Sequence, residues 1–596
     1  MTSATSETTG SKTIADLFRL AVDRYGDRRF VVRKVGDAWV ESTFAEANEI
    51  VTEIGLGLID LGLAQGERVG ILSHTRPEWT YCDMAVTSAG LAVVPVYPTN
   101  APQECAWVLG NSEAVAVICA DAAQVAKVVD TRDALPGLRH IIVIDPEGVS
   151  EDVITLDELR RRGRNRSADE LQARTDAVEP GDVFTIIYTS GTTGAPKGCV
   201  LTHRNYRRML DIVEVTARMG TREEQDLVFL FLPLAHSYAL LMQLLSIDIG
   251  CAIAYATGDA KTILSEIREV HPTTLPSVPR IFEKLYTVAQ GRFTPEEIKL
   301  VREVGGEIED LKVQGLDVPD ELTEKFAPVA DKVQFVRDLF GGNLYEAVTG
   351  AAPISTEILE FFWGAGVPVL EGYGMTETST SATFASPADH KFGTVGKPYP
   401  GVDIRIADDG EILISGDNVF GGYYKNDEAS FGAVIDGWLH TGDLGRMDED
   451  GYLTITGRKK DLIITAGGKN ITPANIENEM KQTRWVSQAV MHGDRRAYPV
   501  MLVTLDEEEI VPWAKEHGVQ DTSMFALACD PQVIDLVQAE LSRINRGYAQ
   551  AEQVKRFFIL DHDLSQAAGE LTPTLKVKRN IVNARYADHF DALYQQ

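Results

Sequence analysis

The sequence predicts an α/β protein with a large N-terminal domain and a smaller C-terminal domain. Short apolar runs such as 114–120 (AVAVICA) alternate with helical stretches such as 76–89 up to about residue 290. This alternation is typical of parallel strands joined by crossover helices. A chain of 596 residues is also too long for one ordinary domain.

The individual elements follow from composition and periodicity. We expect strands at 67–74, 91–99, 114–120, 140–146, 182–190, 343–350 and 367–374, and helices at 76–89 and 102–113. Three further helices are expected with a capping residue at the N-terminus: one from about 203 capped by Thr202, one at 355–365 capped by Ser355, and one that begins at Pro473 and is capped by Thr472. The most apolar run, 238–256, is interrupted by Gln243, Asp248 and Gly250. Because a membrane span needs about 20 largely apolar residues, this run favours a buried helix followed by a buried strand.

The remaining segments set the domain limits. Residues 295–340 are charged and helical, which indicates an insertion or an outlying helical hairpin without assigned chemistry. Residues 395–456 are rich in glycine and β-forming residues, as in a small antiparallel region. We place a domain boundary near 457, which gives a disordered tail at 1–14 and domains at 15–457 and 458–596.

Charge and cysteine usage exclude several classes of protein. The formal net charge of −31 argues against broad nucleic-acid binding and against electrostatic attachment to anionic lipid. Six scattered cysteines without a C-x-x-C pair indicate reduced thiols rather than a disulfide framework or a zinc site. With a polar N-terminus that is no signal peptide, these features predict a cytoplasmic protein.

The stretch 188–198, YTSGTTGAPKG, concentrates glycines, hydroxyls and one cation between two predicted strands. Its glycines permit close approach of the backbone to a ligand, and successive N–H groups there form an anion-binding nest. The threonines and Lys197 add further donors. A polyphosphate site is one interpretation, and a flexible surface loop with a chance lysine is the other.

This stretch is not a P-loop, whose pattern is G-x-x-x-x-G-K-[ST]. Pro196 stands where the second glycine belongs, and Gly198 stands where the cation-binding serine or threonine belongs.

Four further motifs follow in order along the chain. They are EGYGMTET (371–378), HTGDLG (440–445), GRKKD (457–461) and GELTPTLKVKRN (569–580). Together with YTSGTTGAPKG they resemble the adenylate-forming superfamily of acyl-CoA synthetases, peptide-synthetase adenylation domains and luciferases. The resemblance covers residues from about 15 to 585. Within the superfamily, VPRIFEKLY (278–286), the charged insertion and LTPTLKVKR (571–579) look most like the long-chain fatty acyl-CoA synthetases.

The resemblance implies a two-step reaction and a two-domain fold of stacked mixed and parallel sheets with a mobile α+β C-terminal domain. A fatty-acid carboxylate attacks the α-phosphate of ATP, which gives acyl-AMP and pyrophosphate. The thiol of coenzyme A then displaces AMP. Mg²⁺ is the implied cofactor, because a carboxylate must approach an anionic phosphate. Two alternatives stay open: a fatty acyl-AMP ligase that loads a carrier protein, and a non-catalytic nucleotide-binding regulator.

The resemblance also assigns sites residue by residue. The β- and γ-phosphates would be held by Thr189, Ser190, Gly191, Thr192, Thr193, Gly194 and Lys197. Thr376 would contact the α-phosphate, and Glu377 would bind Mg²⁺. The adenine site would comprise Gly350, Ala351, Ala352, Glu371, Gly372 and Tyr373, with Tyr373 stacked on the base. Asp443, assisted by Arg458, would accept hydrogen bonds from both ribose hydroxyls.

The C-terminal motifs supply the catalytic lysine and the hinge. Lys576 aligns with the family's catalytic lysine. This chain reads T-L-K there, where many relatives read S-G-K or T-G-K. Lys578, two residues later, is the alternative candidate for the same role. Lys460 occupies the hinge position. Rotation about it would withdraw the lysine and bring in the loop around Gly468, which completes the coenzyme A channel. A plain hairpin turn is the alternative interpretation of AGGKN (466–470).

The acyl site is less defined. His236 occupies the position beside the acyl carboxylate in relatives, whereas a lone histidine in an apolar stretch is also a common core residue. Burial of a methylene contributes about 0.8 kcal/mol, so a long chain gains on the order of 10 kcal/mol in a dry tunnel. The apolar residues 238–245 are candidates to line it or to belong to the core. A detergent-like product favours transient membrane contact; neither the oligomeric state nor the physiological acid follows from the sequence.

Overall fold

A computed structural model of the chain describes residues 8–150, 153–189, 195–216, 219, 224–572 and 574–595. The helices are α1 (Ile14–Tyr25), α2 (Phe44–Asp60), α3 (Pro77–Ser88), α4 (Pro102–Asn111), α5 (Ala122–Asp130), α6 (Leu156–Gly163), α7 (Ala168–Asp176), α8 (His203–Thr216), α9 (Ser237–Asp248), α10 (Ile263–Val270), α11 (Pro279–Gln290), α12 (Pro295–Leu300), α13 (Gly306–Val313), α14 (Asp320–Phe326), α15 (Ala330–Leu339), α16 (Thr356–Gly364), α17 (Asp427–Ala433), α18 (Pro473–Lys481), α19 (Glu507–Glu516), α20 (Met524–Cys529), α21 (Pro531–Asn545), α22 (Arg579–Arg585) and α23 (Ala587–Gln595).

The strands are β1 (Arg29–Val35), β2 (Ala38–Thr43), β3 (Arg68–Leu72), β4 (Ala92–Val96), β5 (Ala114–Cys119), β6 (His140–Val143), β7 (Ile154–Thr155), β8 (Val183–Thr189), β9 (Lys197–Thr202), β10 (Leu227–Leu230), β11 (Ala252–Tyr255), β12 (Thr274–Ser277), β13 (Glu346–Thr349), β14 (Val369–Tyr373), β15 (Thr383–Phe384), β16 (Lys397–Pro398), β17 (Val402–Ile406), β18 (Glu411–Gly416), β19 (Val434–Ile435), β20 (Trp438–Met447), β21 (Leu453–Arg458), β22 (Ile463–Ile464), β23 (Asn470–Ile471), β24 (Val486–His492), β25 (Val500–Leu505) and β26 (Arg556–Ile559).

Two large sheets form the N-terminal part of the described chain. One has the strand order β7-β6-β5-β3-β4-β8-β9 and the other β16-β15-β14-β13-β12-β10-β11-β1-β2. Most of their neighbouring strands are parallel, with antiparallel pairs at the edges. Central strands such as β4 and β10 are buried along their whole length, as expected for parallel strands covered on both faces. The predicted α/β class is confirmed.

Helix α9 belongs to the hydrophobic core, and β11 follows it as a fully buried strand. The polar side chains of this helix are satisfied inside the protein: Gln243 Nε2 donates to Asp83, and Asp248 accepts from Arg207. The expected buried helix and strand in 238–256 are therefore present, and no helix among the described residues is long and apolar enough to cross a membrane.

The helical segment 295–340 packs on the protein instead of standing apart from it. Apolar side chains on α12 and α15, such as Ile298 and Val336, are buried in a core cluster shared with α11 and α16. Its charged residues face outward on the other side of these helices.

Residues 8–14, which the sequence places in a disordered tail, are bound to the domain. The Thr9 backbone N–H donates to Asp248 at 3.2 Å, and the Ser11 hydroxyl accepts from Arg207 at 2.7 Å. Thr13 then caps α1 in a reciprocal capping box with Asp16. Residues 8–14 are thus ordered and not part of a disordered tail. Local composition does not reveal this order, because the buried partners of these polar residues lie about 200 positions away in the sequence.

Smaller sheets follow. The predicted antiparallel region is the sheet of β17, β18, β20, β19 and β21. The C-terminal part contains the hairpin β22–β23 and the sheet β24-β25-β26, with α18 and α21 packed in one core cluster. The boundary near 457 lies at the end of β21 and stays a prediction.

Candidate active site

The phosphate-loop motif joins β8 to β9 as an antiparallel hairpin, in which Thr189 pairs with Lys197. A P-loop instead connects a strand to a helix, so the topology agrees with the rejection of that motif. A Cβ atom at Gly198 would lie 2.9 Å from the ring of Tyr188, which explains why glycine is needed there. The predicted contacts of Ser190, Gly191, Thr192, Thr193 and Gly194 fall outside the described residues.

Thr376 and Glu377 lie in a buried 3₁₀ turn, Thr376–Thr378, that follows β14. The Glu377 carbonyl accepts from Phe420 N–H at 2.9 Å, and its Oε1 accepts from the Tyr423 hydroxyl at 2.7 Å. The backbone and the carboxylate of Glu377 are therefore both anchored to the 420–424 segment.

Asp443 lies on β20 opposite Arg458 on β21. Its Oδ1 accepts from Arg458 Nε at 2.8 Å, and its Oδ2 accepts from the Tyr373 hydroxyl at 2.8 Å. Burial and the charge of Asp443 raise the pKa of Tyr373 well above its ordinary value. Tyr373, Asp443 and Arg458 thus form one hydrogen-bonded unit.

The predicted adenine segments meet because β13 and β14 are parallel neighbours, so that their carboxyl ends share one sheet edge. Gly350 approaches β14 so closely that a Cβ there would lie 3.2 Å from the Gly372 carbonyl oxygen. Ala351 and Ala352 continue this loop as exposed residues, Ala351 with φ 67°. Burial raises the pKa of the Glu371 carboxyl to about 8.

Lys576 lies in a tight turn of the C-terminal domain. Its backbone N–H donates to the Thr572 hydroxyl at 3.0 Å, and Leu575 next to it has φ 60°. That left-handed conformation favours glycine, which accounts for the S-G-K and T-G-K patterns from which this chain departs.

The Lys576 ammonium is close to the Glu377 and Asp443 carboxylates. The Lys576 side chain is exposed to solvent along part of its length, whereas protein atoms surround its ammonium. This burial and the charge of Arg458 lower the pKa of Lys576 to about 8. Asp443 and Glu377 oppose the shift. Lys578 instead lies 3.8 Å from Glu104, so Lys576 is the lysine that joins the cluster.

His236 caps α9, with Nδ1 accepting from the Tyr238 N–H at 3.2 Å. Burial and the nearby charge of Lys576 lower the pKa of His236 to about 4. The imidazole is therefore neutral at pH 7 and lies near the Lys576 ammonium.

Lys460 and Gly468 are exposed and outside this cluster. Lys460 lies in a short 3₁₀ turn, Lys459–Asp461, and Gly468 lies in a turn with φ 76°. The two parts of the chain are also joined by ion pairs, between Arg280 and Asp506 and between Lys284 and Glu508.

Comparison with known proteins identifies the family to which the chain belongs. Residues 18–424 match the family described as AMP-binding enzyme, and residues 460–596 match the AMP-binding enzyme C-terminal domain. The chain is 37% identical over 576 residues to the long-chain-fatty-acid–CoA ligase FadD15 of Mycobacterium bovis, covering 95% of this chain and 94% of that one. It is 33% identical to the long-chain-fatty-acid–CoA ligase ACSBG2 of Xenopus laevis, covering 98% and 84%.

A solved structure, that of a Mycobacterium tuberculosis fatty acyl CoA synthetase, has a TM-score of 0.62 at 23% identity and covers 97% of this chain and 99% of that one. At that identity the similarity concerns the fold. The two matched family models together span most of the chain, residues 18–424 and 460–596. The chain therefore belongs to the AMP-binding enzyme family.

Proposed function

We propose that the protein activates a long-chain fatty acid with ATP to acyl-AMP and then transfers the acyl group to coenzyme A. The observation that carries this proposal is that the Lys576 ammonium, near the C-terminus, lies within electrostatic range of two carboxylates from earlier motifs, Glu377 and Asp443. The curated relatives that align over nearly the whole chain are named as ligases of the same type.

The first step needs an anionic acid to approach an anionic phosphate. Lys576 would bridge the attacking carboxylate and the α-phosphate, and Thr376 would donate to the same phosphate. Asp443 would hold the ribose, with Tyr373 stacked on adenine. Preorganised donors and charges of this kind stabilise the charge that develops during the reaction.

The residues fit Mg²⁺ that arrives with ATP. Mg²⁺ is a hard cation that characteristically binds one or two carboxylates, with phosphate and water completing its coordination. Glu377 supplies one anchored carboxylate, and the described residues contain no cluster of three or more His, Cys, Asp or Glu side chains able to hold a cation by themselves. When bound, Mg²⁺ would neutralise part of the phosphate charge.

Neutral His236 and the start of α9 would border the acyl carboxylate. The Tyr238 hydroxyl is committed to the Val348 carbonyl at 2.9 Å, and the helix beyond it is buried in the core. The length of the fatty acid that the enzyme prefers is tested by product mass spectrometry with ATP, coenzyme A and acids of graded length. A preference for short acids would contradict the long-chain assignment.

The alternatives give different products. A fatty acyl-AMP ligase would release pyrophosphate but form no thioester with free coenzyme A, and a nucleotide-binding regulator would be inert in ATP–pyrophosphate exchange. The relatives' printed names do not favour either alternative.

The pH dependence of adenylation tests the charge state of Lys576. Its pKa is lowered to about 8, so the ammonium predominates below pH 8 and is lost as pH rises through that value. We expect kcat/KM for ATP–pyrophosphate exchange to fall about tenfold per pH unit above this point. Lys576→Arg should lack this limb at any activity it retains, because a guanidinium stays protonated. An alkaline limb shared by both proteins would contradict the assignment.

A further inference from the structure

Tyr423 connects two parts of the proposed phosphate site that are distant in sequence. Its hydroxyl donates to Glu377 Oε1 at 2.7 Å, while the Lys197 ammonium lies 5.0 Å from the centre of its ring. We propose that Tyr423 is a positioning residue that holds Glu377 and Lys197 in fixed relation, so that cation and phosphate bind together. This proposal depends on the proposed function, because it assigns Glu377 to Mg²⁺ and Lys197 to the phosphates.

The backbone around Tyr423 is itself fixed. Residues 421–424 run along β9 with hydrogen bonds from Val200 N–H to the Gly422 carbonyl at 3.0 Å and from Tyr424 N–H to the Gly198 carbonyl at 2.7 Å. The Tyr423 N–H donates to the Ser430 hydroxyl at 2.8 Å. The phenol ring is thus attached to the same strand that carries Lys197.

The hydroxyl has one evident task. A hydrogen bond to a carboxylate is charge-assisted and stronger than one between neutral groups. Since it engages Oε1 of a buried glutamate, it restricts rotation of the carboxylate and fixes the direction of its remaining lone pairs. Its loss would leave Glu377 able to rotate away from a cation.

The ring has a second, separable task. An ammonium near an aromatic ring is attracted by the ring's quadrupole. Phe420 packs edge-on against the same ring, with centroids 4.9 Å apart, which keeps its face in place. The ring would hold Lys197 ready for the phosphates whether or not a hydroxyl is present.

Tyr424 offers a matched control. It is the next residue, and its hydroxyl also donates to a glutamate, Glu113, at 2.7 Å, but on the protein surface. Tyr424→Phe therefore removes the same atom from the same segment without removing a contact to Glu377 or Lys197.

The test compares Tyr423→Phe, Tyr423→Leu and Tyr424→Phe in the full chain. Calorimetric titration with ATP, in the absence of acid, is run with excess Mg²⁺ and again with EDTA. We expect Tyr423→Phe to weaken ATP binding about tenfold with Mg²⁺, the loss of one charge-assisted bond, and less than about twofold with EDTA. Tyr423→Leu should also weaken binding in EDTA by about threefold, as loss of the cation–π contact implies.

The outcomes separate the possible failures. Equal losses with and without Mg²⁺ in Tyr423→Phe, or a response like that of Tyr424→Phe, would overturn the role of the hydroxyl. Equal binding of Tyr423→Leu and Tyr423→Phe in EDTA would overturn the role of the ring. If the wild-type chain itself bound ATP without any effect of Mg²⁺, the proposed function would fail instead. Urea unfolding of each variant reports separately on folding.

Discussion

Replacement of Lys576 by alanine is expected to slow acyl-AMP formation by about 10²–10³-fold, the loss typical of removing one electrostatic stabiliser of a transition state. The ammonium lies near Glu377 and Asp443, and its removal leaves the negative charges of the attacking carboxylate and the α-phosphate uncompensated. The reaction of supplied acyl-AMP with coenzyme A should proceed at nearly the wild-type rate. ATP–pyrophosphate exchange measures the first step, and single-turnover thioester formation measures the second.

Lys578→Ala is the matched control, since that lysine lies near Glu104 and away from the cluster. It should retain most of the exchange activity. If Lys578→Ala is slower than Lys576→Ala in ATP–pyrophosphate exchange, Lys578 is the catalytic lysine and Lys576 is not. If Lys576→Ala slows both steps equally, its role is not specific to adenylation.

Replacement of Lys460 by proline is expected to lower overall thioester turnover by about 100-fold, the loss that misplaced reacting groups cause, while ATP–pyrophosphate exchange persists. Proline fixes φ near −65° and removes a backbone donor, which restricts the rotation proposed at this position. Acyl-AMP should then accumulate on the enzyme, as measured by acid quench and mass spectrometry.

Lys460→Ala serves as the control, because it removes the same exposed side chain but leaves the backbone free. It should turn over like the wild type. Undiminished thioester formation by Lys460→Pro would contradict a hinge at this residue, and equal loss in both variants would assign the effect to the side chain.

Local sequence predicted strands such as β3, β4 and β5 because these parallel strands are continuous apolar runs. Thr202 was predicted to cap α8, and its hydroxyl does accept from the Asn205 N–H at 3.2 Å. Ser355 and Thr472 occupy cap positions without a side-chain cap bond. Local pattern thus locates a helix end better than it specifies the contacts there.

The organisation of the site was less accessible from sequence. The motifs located Asp443, Tyr373 and Glu377, but the hydrogen bonds from Tyr373 to Asp443 and from Tyr423 to Glu377 depend on strand register and on the path of the chain. Tyr423 lies 46 positions from Glu377, and no local signal links them; only its place in the aromatic-rich stretch GGYYKN (421–426) distinguishes it. Contacts between residues so far apart in sequence become visible only in the three-dimensional structure.

The left-handed backbone of Leu575 has a consequence for the stability of the turn that carries Lys576. The left-handed conformation costs an L-residue about 1–2 kcal/mol of conformational free energy that glycine does not lose. The turn is therefore less stable than the same turn with glycine at this position. Leucine also has fewer backbone states than glycine in the unfolded chain, which offsets part of this cost when the turn forms. The turn that presents the Lys576 ammonium therefore keeps its strained shape only because the surrounding structure holds it there.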